Sequence, residues 1–306
     1  MPKLSFQYVQ LEYSETLLEF LVRRFKYHNA AEWEKLIAQG NVLLNGKTSS
    51  PGHIMQTRDK LIYNPPDVPE PPVDTSHRII YEDEVLLAVS KSGNIPSTPS
   101  GKYWNNCLRH VLQNIYKYKD LYAVHRLDRE TSGINLFTKD RLSAKKLGDD
   151  FNTGKVSKAY TAILKGHFEK PVYDVSVSLG KAPASAVHIR QAVVDQGRPS
   201  RTIFILKALL TGASLVEVVP HTGRTHQIRA HAEHIGHPVW GDKLYGADEQ
   251  AFIQWIETGE RNSIDRQLLH ATRLNFTHPV SGEPLELYDS PEALLRLHLD
   301  ALAKCE

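Results

Sequence analysis

Cysteine is almost missing from this chain: Cys107 and Cys305 stand far apart and are the only 2 among 306 residues. Such usage excludes a disulfide framework and a cysteine zinc site, and it fits a reducing compartment. Long apolar runs are missing as well. No stretch approaches the roughly 18 to 20 apolar residues that a membrane span needs, so no membrane partner is expected. The first twenty residues lack the basic, apolar, small-residue order of a signal peptide, which makes the cytoplasm the expected address. No sequence period repeats and no tract is of low complexity. What remains is an ordinary globular composition, 41% apolar and 24% charged, long enough for one large domain or two smaller ones.

The net charge of +2 hides an uneven distribution. Residues 101–170 carry 14 Lys and Arg against 7 Asp and Glu, whereas residues 66–100 and 171–306 are net acidic. A localised basic block points to an anionic partner, nucleic acid first, with a solvated lysine-rich surface as the plain alternative. Residues 65–72 hold 5 prolines, which can neither continue a helix nor supply ladder donors. The chain therefore divides into a small unit over residues 1–65, a proline-rich linker over 66–76 and a large unit over 77–306.

The small unit reads as two helices followed by a hairpin. Ser14 is placed to cap a helix whose apolar face is Leu17, Leu18, Leu21, Val22 and Phe25, with Arg23, Arg24 and Lys26 crowding its end. Asn29 and Glu32 form a capping box for a second helix carrying Trp33, Leu36 and Ile37, which Gly40 stops. Val42–Leu44 and Lys60–Tyr63 read as strands, and Asn45-Gly46 is a strong turn signal. The large unit lacks a regular strand–helix alternation. Helical periodicity covers Cys107–Tyr118 and Asp140–Asn152, and strands are expected at Ile79–Tyr81, Val85–Val89, Ser157–Leu164, Ile203–Leu206 and Leu215–Val219. The expected fold is α+β, a mixed and largely antiparallel sheet with flanking helices.

Three segments can carry chemistry. His125–Gly133 lies between an apolar run and a strand, and sets Asp128 between Arg126 and Arg129; it is either a carboxylate held ionised near phosphates or a surface ion cluster. His221–His231 follows a strand, with Thr225 placed to cap a helix running to Gly236, an arrangement that favours an anion at the turn. Five histidines fall at 221, 226, 231, 234 and 237, but no metal motif joins them, so packing and phosphate contact are preferred to a metal. Lys158-Ala159-Tyr160-Thr161-Ala162 sits in an amphipathic strand, where Tyr160 either packs in the sheet or stacks on an exposed base.

Together HRLDRETSG, KAYTAIL and HTGRTHQIRAH, with GHPVWGDKLYG (236–246) and LHATRLNFTHPVSG (269–282), resemble the RluA family of pseudouridine synthases over residues 77–295. The run FLVRRF…IAQGNVLLNGK…RDKLIY, within residues 12–65, resembles the small RNA-binding domain named after ribosomal protein S-four. There Asn29–Trp33 carries no arginine, which leaves the unit either RNA-binding or a structural cap. The resemblance implies isomerisation of uridine within ribosomal or transfer RNA, by attack on either the ribose or the ring. It implies Asp128 as nucleophile, Tyr160 packed on the target base and helping to move its proton, Arg229 paired with Asp128, and Arg126 holding the flipped nucleotide. Arg129, Arg224, His226 and Gln227 complete the expected RNA contacts. No metal or organic cofactor is implied, and a monomer is expected. The family has proline after a lysine where this chain has Lys91-Ser92. Two other classes compete: a glycosidase-like hydrolase, which needs a second acid at a set distance, and a non-catalytic RNA-binding protein.

Overall fold

The computed structural model describes residues 4–8, 14–25, 28–66, 69–101, 103–258 and 266–303. Lys26, Asp67, Val68 and Cys305, to which the sequence reading extends, lie outside them. The chain forms two compact units, Met1–Pro72 with Pro99–Asn105, and Val73–Thr98 with Asn106–Glu306. The short segment Pro99–Asn105 thus belongs with the first unit, where the Glu70 carboxylate accepts the backbone N–H groups of Trp104 and Asn105.

In the small unit β1 (Leu4–Gln7), β2 (Val42–Leu44), β3 (Lys47–Thr48) and β4 (Lys60–Tyr63) form an antiparallel sheet in the order β1-β4-β2-β3. Asn45 and Gly46 both adopt left-handed backbone, as the two-residue turn between β2 and β3 requires. Helix α1 (Leu17–Arg24) is capped by Thr16 rather than Ser14. Thr16 Oγ1 accepts the Glu19 N–H and the Glu19 carboxylate accepts the Thr16 N–H, a reciprocal pair that Ser14 has no acid to complete. Helix α2 (Ala30–Ala38) has the Asn29–Glu32 box. Leu17, Leu21, Trp33, Leu36 and Ile37 meet Val42, Leu44 and Leu61 in one core.

The large unit contains β5 (His77–Glu82), β6 (Leu86–Lys91), β7 (Tyr122–Ala123), β8 (Ser132–Thr138), β9 (Ser157–Lys165), β10 (Val172–Lys181), β11 (Gln191–Val193), β12 (Arg198–Leu210), β13 (Ala213–Pro220), β14 (Leu269–Thr277) and β15 (Pro284–Tyr288). Its helices are α3 (Leu108–Tyr116), α4 (Arg141–Thr153), α5 (Gln227–His234), α6 (Glu249–Thr258) and α7 (Glu292–Ala303). The strands make one sheet in the order β11-β10-β12-β13-β9-β14-β8-β6-β5, with β15 on β14 and β7 on β8. Every pairing is antiparallel except β8 with β14.

Strand β8 is buried along its whole length because helices cover both faces. Ile134 and Leu136 meet Leu147 of α4 on one side, while Phe137 meets Leu108 and Leu112 of α3 on the other. The parallel contact brings Gly133 beside Ala271, so close that a Cβ there would stand 2.3 Å from the Ala271 carbonyl oxygen. Gly133 also has φ +103°, a region that a side chain disfavours. On the other half of the sheet, Ile228 and Ala232 of α5 pack on Ala162, Phe204, Val216 and Val218. These two packing events bring the loop before β8 and the start of α5 to one cavity.

Candidate active site

Asp128 lies in the loop that leads into β8, and that loop is fastened from beneath. The Leu127 N–H donates to Ser97 Oγ at 3.0 Å, and the buried Leu127 side chain anchors the turn. The Thr131 N–H closes back on the Asp128 carbonyl at 3.1 Å. Lys91, 1% exposed, donates to the carbonyls of Ser92, Ile95 and Arg129 at 2.8, 2.8 and 3.0 Å. Burial pushes its amine well below the ordinary lysine pKa, with Asp128 and Glu130 opposing. Three carbonyl acceptors nevertheless match the three protons of the ammonium form. Ser92, standing where the family has proline, uses its hydroxyl to bind the Asp74 carbonyl.

The second loop joins β13 to α5. Gln227 is its staple: its carbonyl accepts Thr222 Oγ1 (2.7 Å) and the Arg224 N–H (3.0 Å), and its amide donates to the Arg201 carbonyl and Thr202 Oγ1. With these four bonds the buried Gln227 shapes the loop instead of offering a free amide to RNA, contrary to expectation. The helix cap differs as well. His226, in left-handed backbone at φ +54°, is the residue before α5, and the exposed Thr225 does not cap it. The Gln227 N–H, which a Thr225 cap would have served, closes instead on the Arg224 carbonyl at 3.1 Å.

Arg229, on the first turn of α5, reaches Asp128 Oδ2 with Nη1 at 2.9 Å. Its Nε and Nη2 form a bidentate pair with Asp242 at 2.6 and 2.9 Å. Asp242, fully shielded, also accepts the N–H groups of Leu244 and Tyr245. The guanidinium lies over the Tyr245 ring, 4.8 Å from its centroid. Arg229 is thus fixed on three sides before it meets Asp128. Burial, the largest single influence on the Asp128 carboxyl, pushes its pKa up; the Arg229 cation is the foremost influence against it, and the group is held below the usual carboxylate range. The Asp128 side chain keeps 27% of its surface open. His226 sets Nε2 3.9 Å from Asp128 Oδ2.

Asp128, His226 and Arg229 line a cavity of about 750 Å³ with Tyr160, Arg126, Lys158 and Arg224, and Asp242 and Tyr245 stand behind it. Burial, reinforced by the Asp128 charge, raises the Tyr160 phenol, so it stays protonated at neutral pH. Arg126 is exposed at the rim and Arg224 partly so, with Arg224 Nε on the Pro199 carbonyl. Burial lowers the pKa of Lys158, a lining cation absent from the expected set. Arg129 is not brought to the cavity. It turns to Glu130 (3.1 Å) and to the Trp255 ring (5.2 Å), while Lys243 donates to both oxygens of the Glu130 carboxylate at 2.9 Å.

Among the described residues, no group of three His, Cys, Asp or Glu side chains is arranged to hold a metal ion. His231 is fully buried between Ser200 and Thr202, and burial pushes its pKa down to about 4. His234 is exposed and His237 binds the Lys165 carbonyl, so the three-residue steps diverge in space. His125 stacks on Phe151 and accepts the Leu136 N–H; burial takes it down to about 3.

The sequence reading missed Asp242, Tyr245 and Lys91 as members of the site's support. Asp242 and Tyr245 lie within the GHPVWGDKLYG segment that contributed to the resemblance, and their spacing from Arg229 carries no local signal. Among the described residues, no helix is long and apolar enough to cross a membrane.

A family model described as RNA pseudouridylate synthase matches residues 85–234. The ribosomal large subunit pseudouridine synthase C of Buchnera aphidicola is 30% identical over 295 residues, covering 92% of each chain. Its namesake in Haemophilus influenzae is 31% identical over 280 residues, covering 88% of this chain and 85% of that protein. An uncharacterized RNA pseudouridine synthase of Aquifex aeolicus is 32% identical over 287 residues, covering 88% of each. Among solved structures, human RNA pseudouridylate synthase domain containing 1 is similar at a TM-score of 0.58 and 27% identity, over 72% of this chain and 86% of that one.

Proposed function

The chain belongs to the RNA pseudouridine synthases, which isomerise uridine to pseudouridine within RNA, and from that premise we propose that Asp128 is its nucleophile and ribosomal RNA its substrate. The observation that carries the first part is the make-up of the cavity. Among the described residues Asp128 is the one acid in its lining, beside the protonated Tyr160 and under a rim of Arg126, Lys158 and Arg224. A carboxylate that is ionised before substrate arrives can attack at once and split a difficult exchange of bonds into two steps. The isomerisation moves the ribose from ring nitrogen to ring carbon; the carbon gives up a proton and the nitrogen gains one, so no proton is consumed overall. Tyr160 offers a ring to pack on the uracil and a phenol to relay that proton.

A hydrolase reading fares worse. Glu130 is tied to Lys243 and Arg129, and Asp242 to Arg229, so neither stands ready as a second acid across the cavity. The uridine must leave its stack to reach Asp128, which the aromatic and cationic lining favours. Arg126, Lys158 and Arg224 suit the flanking phosphates. The ribosomal substrate rests on the names of the relatives in Buchnera and Haemophilus. The small unit, with its two helices, hairpin and exposed Arg24, Lys35 and Lys47, is read as an accessory RNA-binding domain.

The test pairs a variant with a map. Asp128→Asn should fold and bind RNA normally while its single-turnover rate falls by at least about 10³-fold; a rate within tenfold of wild type removes Asp128 from the role. Mapping pseudouridine in cells with and without the protein should show the loss in ribosomal RNA. A loss confined to transfer RNA overturns the substrate.

A further inference from the structure

His226 pays a conformational cost to stand where it does. It is one of few residues other than glycine with positive φ, at +54°, and no side-chain capping bond compensates at the helix start. Its ring is held from one side. Nδ1 is 3.0 Å from the Tyr245 hydroxyl, and Nε2 faces Asp128. Tyr245 is fully buried, and its hydroxyl oxygen already accepts the Gln191 N–H at 2.9 Å from β11. The single proton of that hydroxyl needs an acceptor, and His226 Nδ1 is the one at hydrogen-bond distance. Nδ1 is then unprotonated, and a neutral imidazole must carry its proton on Nε2.

We propose that His226 is a positioning residue for the isomerisation: the chain from the Gln191 N–H through the Tyr245 hydroxyl locks its Nε2–H toward Asp128 Oδ2, and with Arg229 it makes Oδ1 the attacking oxygen. Both groups face Oδ2: Arg229 donates to it at 2.9 Å, and His226 Nε2 stands 3.9 Å away, one short closure from a hydrogen bond. Oδ1 has no hydrogen-bond partner among the described residues. A carboxylate anchored through one oxygen presents the other in a set direction, and a neutral imidazole does this without placing another cation against the carboxylate. Burial, the dominant influence, holds the His226 pKa below its ordinary value, in keeping with a neutral ring. The proposal rests on Asp128 being the nucleophile, but the state of the ring can be read without RNA.

Two measurements test it. In the full-length protein, ¹⁵N–¹H correlation of the histidine rings at pH 7 should show His226 with a bare Nδ1 and a protonated Nε2, and Tyr245→Phe should release the ring into a mixture of tautomers. A wild-type ring protonated at Nδ1 overturns the lock.

The second measurement is single-turnover conversion at saturating enzyme, on RNA from cells lacking the protein, read at the uridines that wild type modifies. His226→Gln can place an amide N–H near the position of Nε2–H and should keep the rate within about fivefold, while His226→Asn, which reaches only the Nδ1 position, should lose about 10- to 100-fold. Asparagine is the easier residue in left-handed backbone, so a purely structural role predicts the reverse order. Asparagine matching or exceeding glutamine overturns the proposal. Wild-type inactivity on that RNA would instead count against the proposed function, with the tautomer still deciding the lock.

Discussion

The two units bury polar groups to very different extents. In the small unit Glu15 is the one charged or polar residue classed as buried among those described, and its carboxylate is held by the half-exposed Arg23. The large unit buries Lys91, Gln227, Arg229, His231 and Asp242, most of them in or directly behind the Asp128 cavity. Removing a charge from water costs several kcal/mol unless it is well paired. On the roles proposed above, a unit that shows cations to RNA has little reason to do this, whereas a unit that aims a carboxylate at a carbon atom does.

The sharpest way to break this contrast is Asp242→Asn. It leaves Arg229 with one anionic partner in a shielded site, and breaking such a buried pair costs about 3 to 5 kcal/mol. Urea denaturation should show that loss, and single-turnover conversion should fall with it, since Arg229 is then free to leave Asp128. A variant as stable and active as wild type would mean that Asp242 is incidental.

Next in size is Gly133→Ala. The added methyl meets the Ala271 backbone in a strained conformation, which should cost about 2 to 3 kcal/mol and shift the Asp128 loop. Thermal unfolding measures the first effect and conversion at saturating enzyme the second.

The smallest expected effect sharpens the contrast from the other side. Glu15→Gln weakens a pair whose arginine is 41% exposed, so a loss of about 1 kcal/mol is expected. The rate for bound RNA should not change. A fall in that rate would mean that chemistry depends on the small unit's interior.

How much of this was legible in the sequence follows the range of the interactions. Local signals were read well: Asn29 with Glu32 caps α2, and Asp140 and Gly154 bound α4. Sharper reading of the T-x-x-E pattern at Thr16 would have moved the first cap from Ser14. Strand β8 was visible from Ile134, Leu136 and Phe137 following Gly133, whereas β10, β11, β14 and β15 were not assigned. Much of β10 is exposed, although Tyr173, Val175, Val177 and Leu179 alternate with Asp174, Ser176 and Ser178 as in a half-buried strand. At the site, short motifs pointed to the right loops, but the use of each side chain depended on distant partners. Arg229 and Asp128 are 101 positions apart, and nothing near Arg129 in sequence indicates that Trp255 receives it. Gln227 looked like a ligand for RNA because two of its four partners, Arg201 and Thr202, lie on β12 and more than twenty positions away.

The layered construction of the cavity has a consequence for ionic strength. Arg126 and Arg224 stand at the rim in contact with solvent, where dissolved ions screen charges beyond about 8 Å at physiological ionic strength. Asp128, Arg229 and Asp242 exchange their charges through direct contacts that counterions do not enter. Added salt should therefore loosen the grip on the polyanion while leaving the carboxylate aimed, so that the enzyme in concentrated salt becomes a poor binder with an intact catalytic floor.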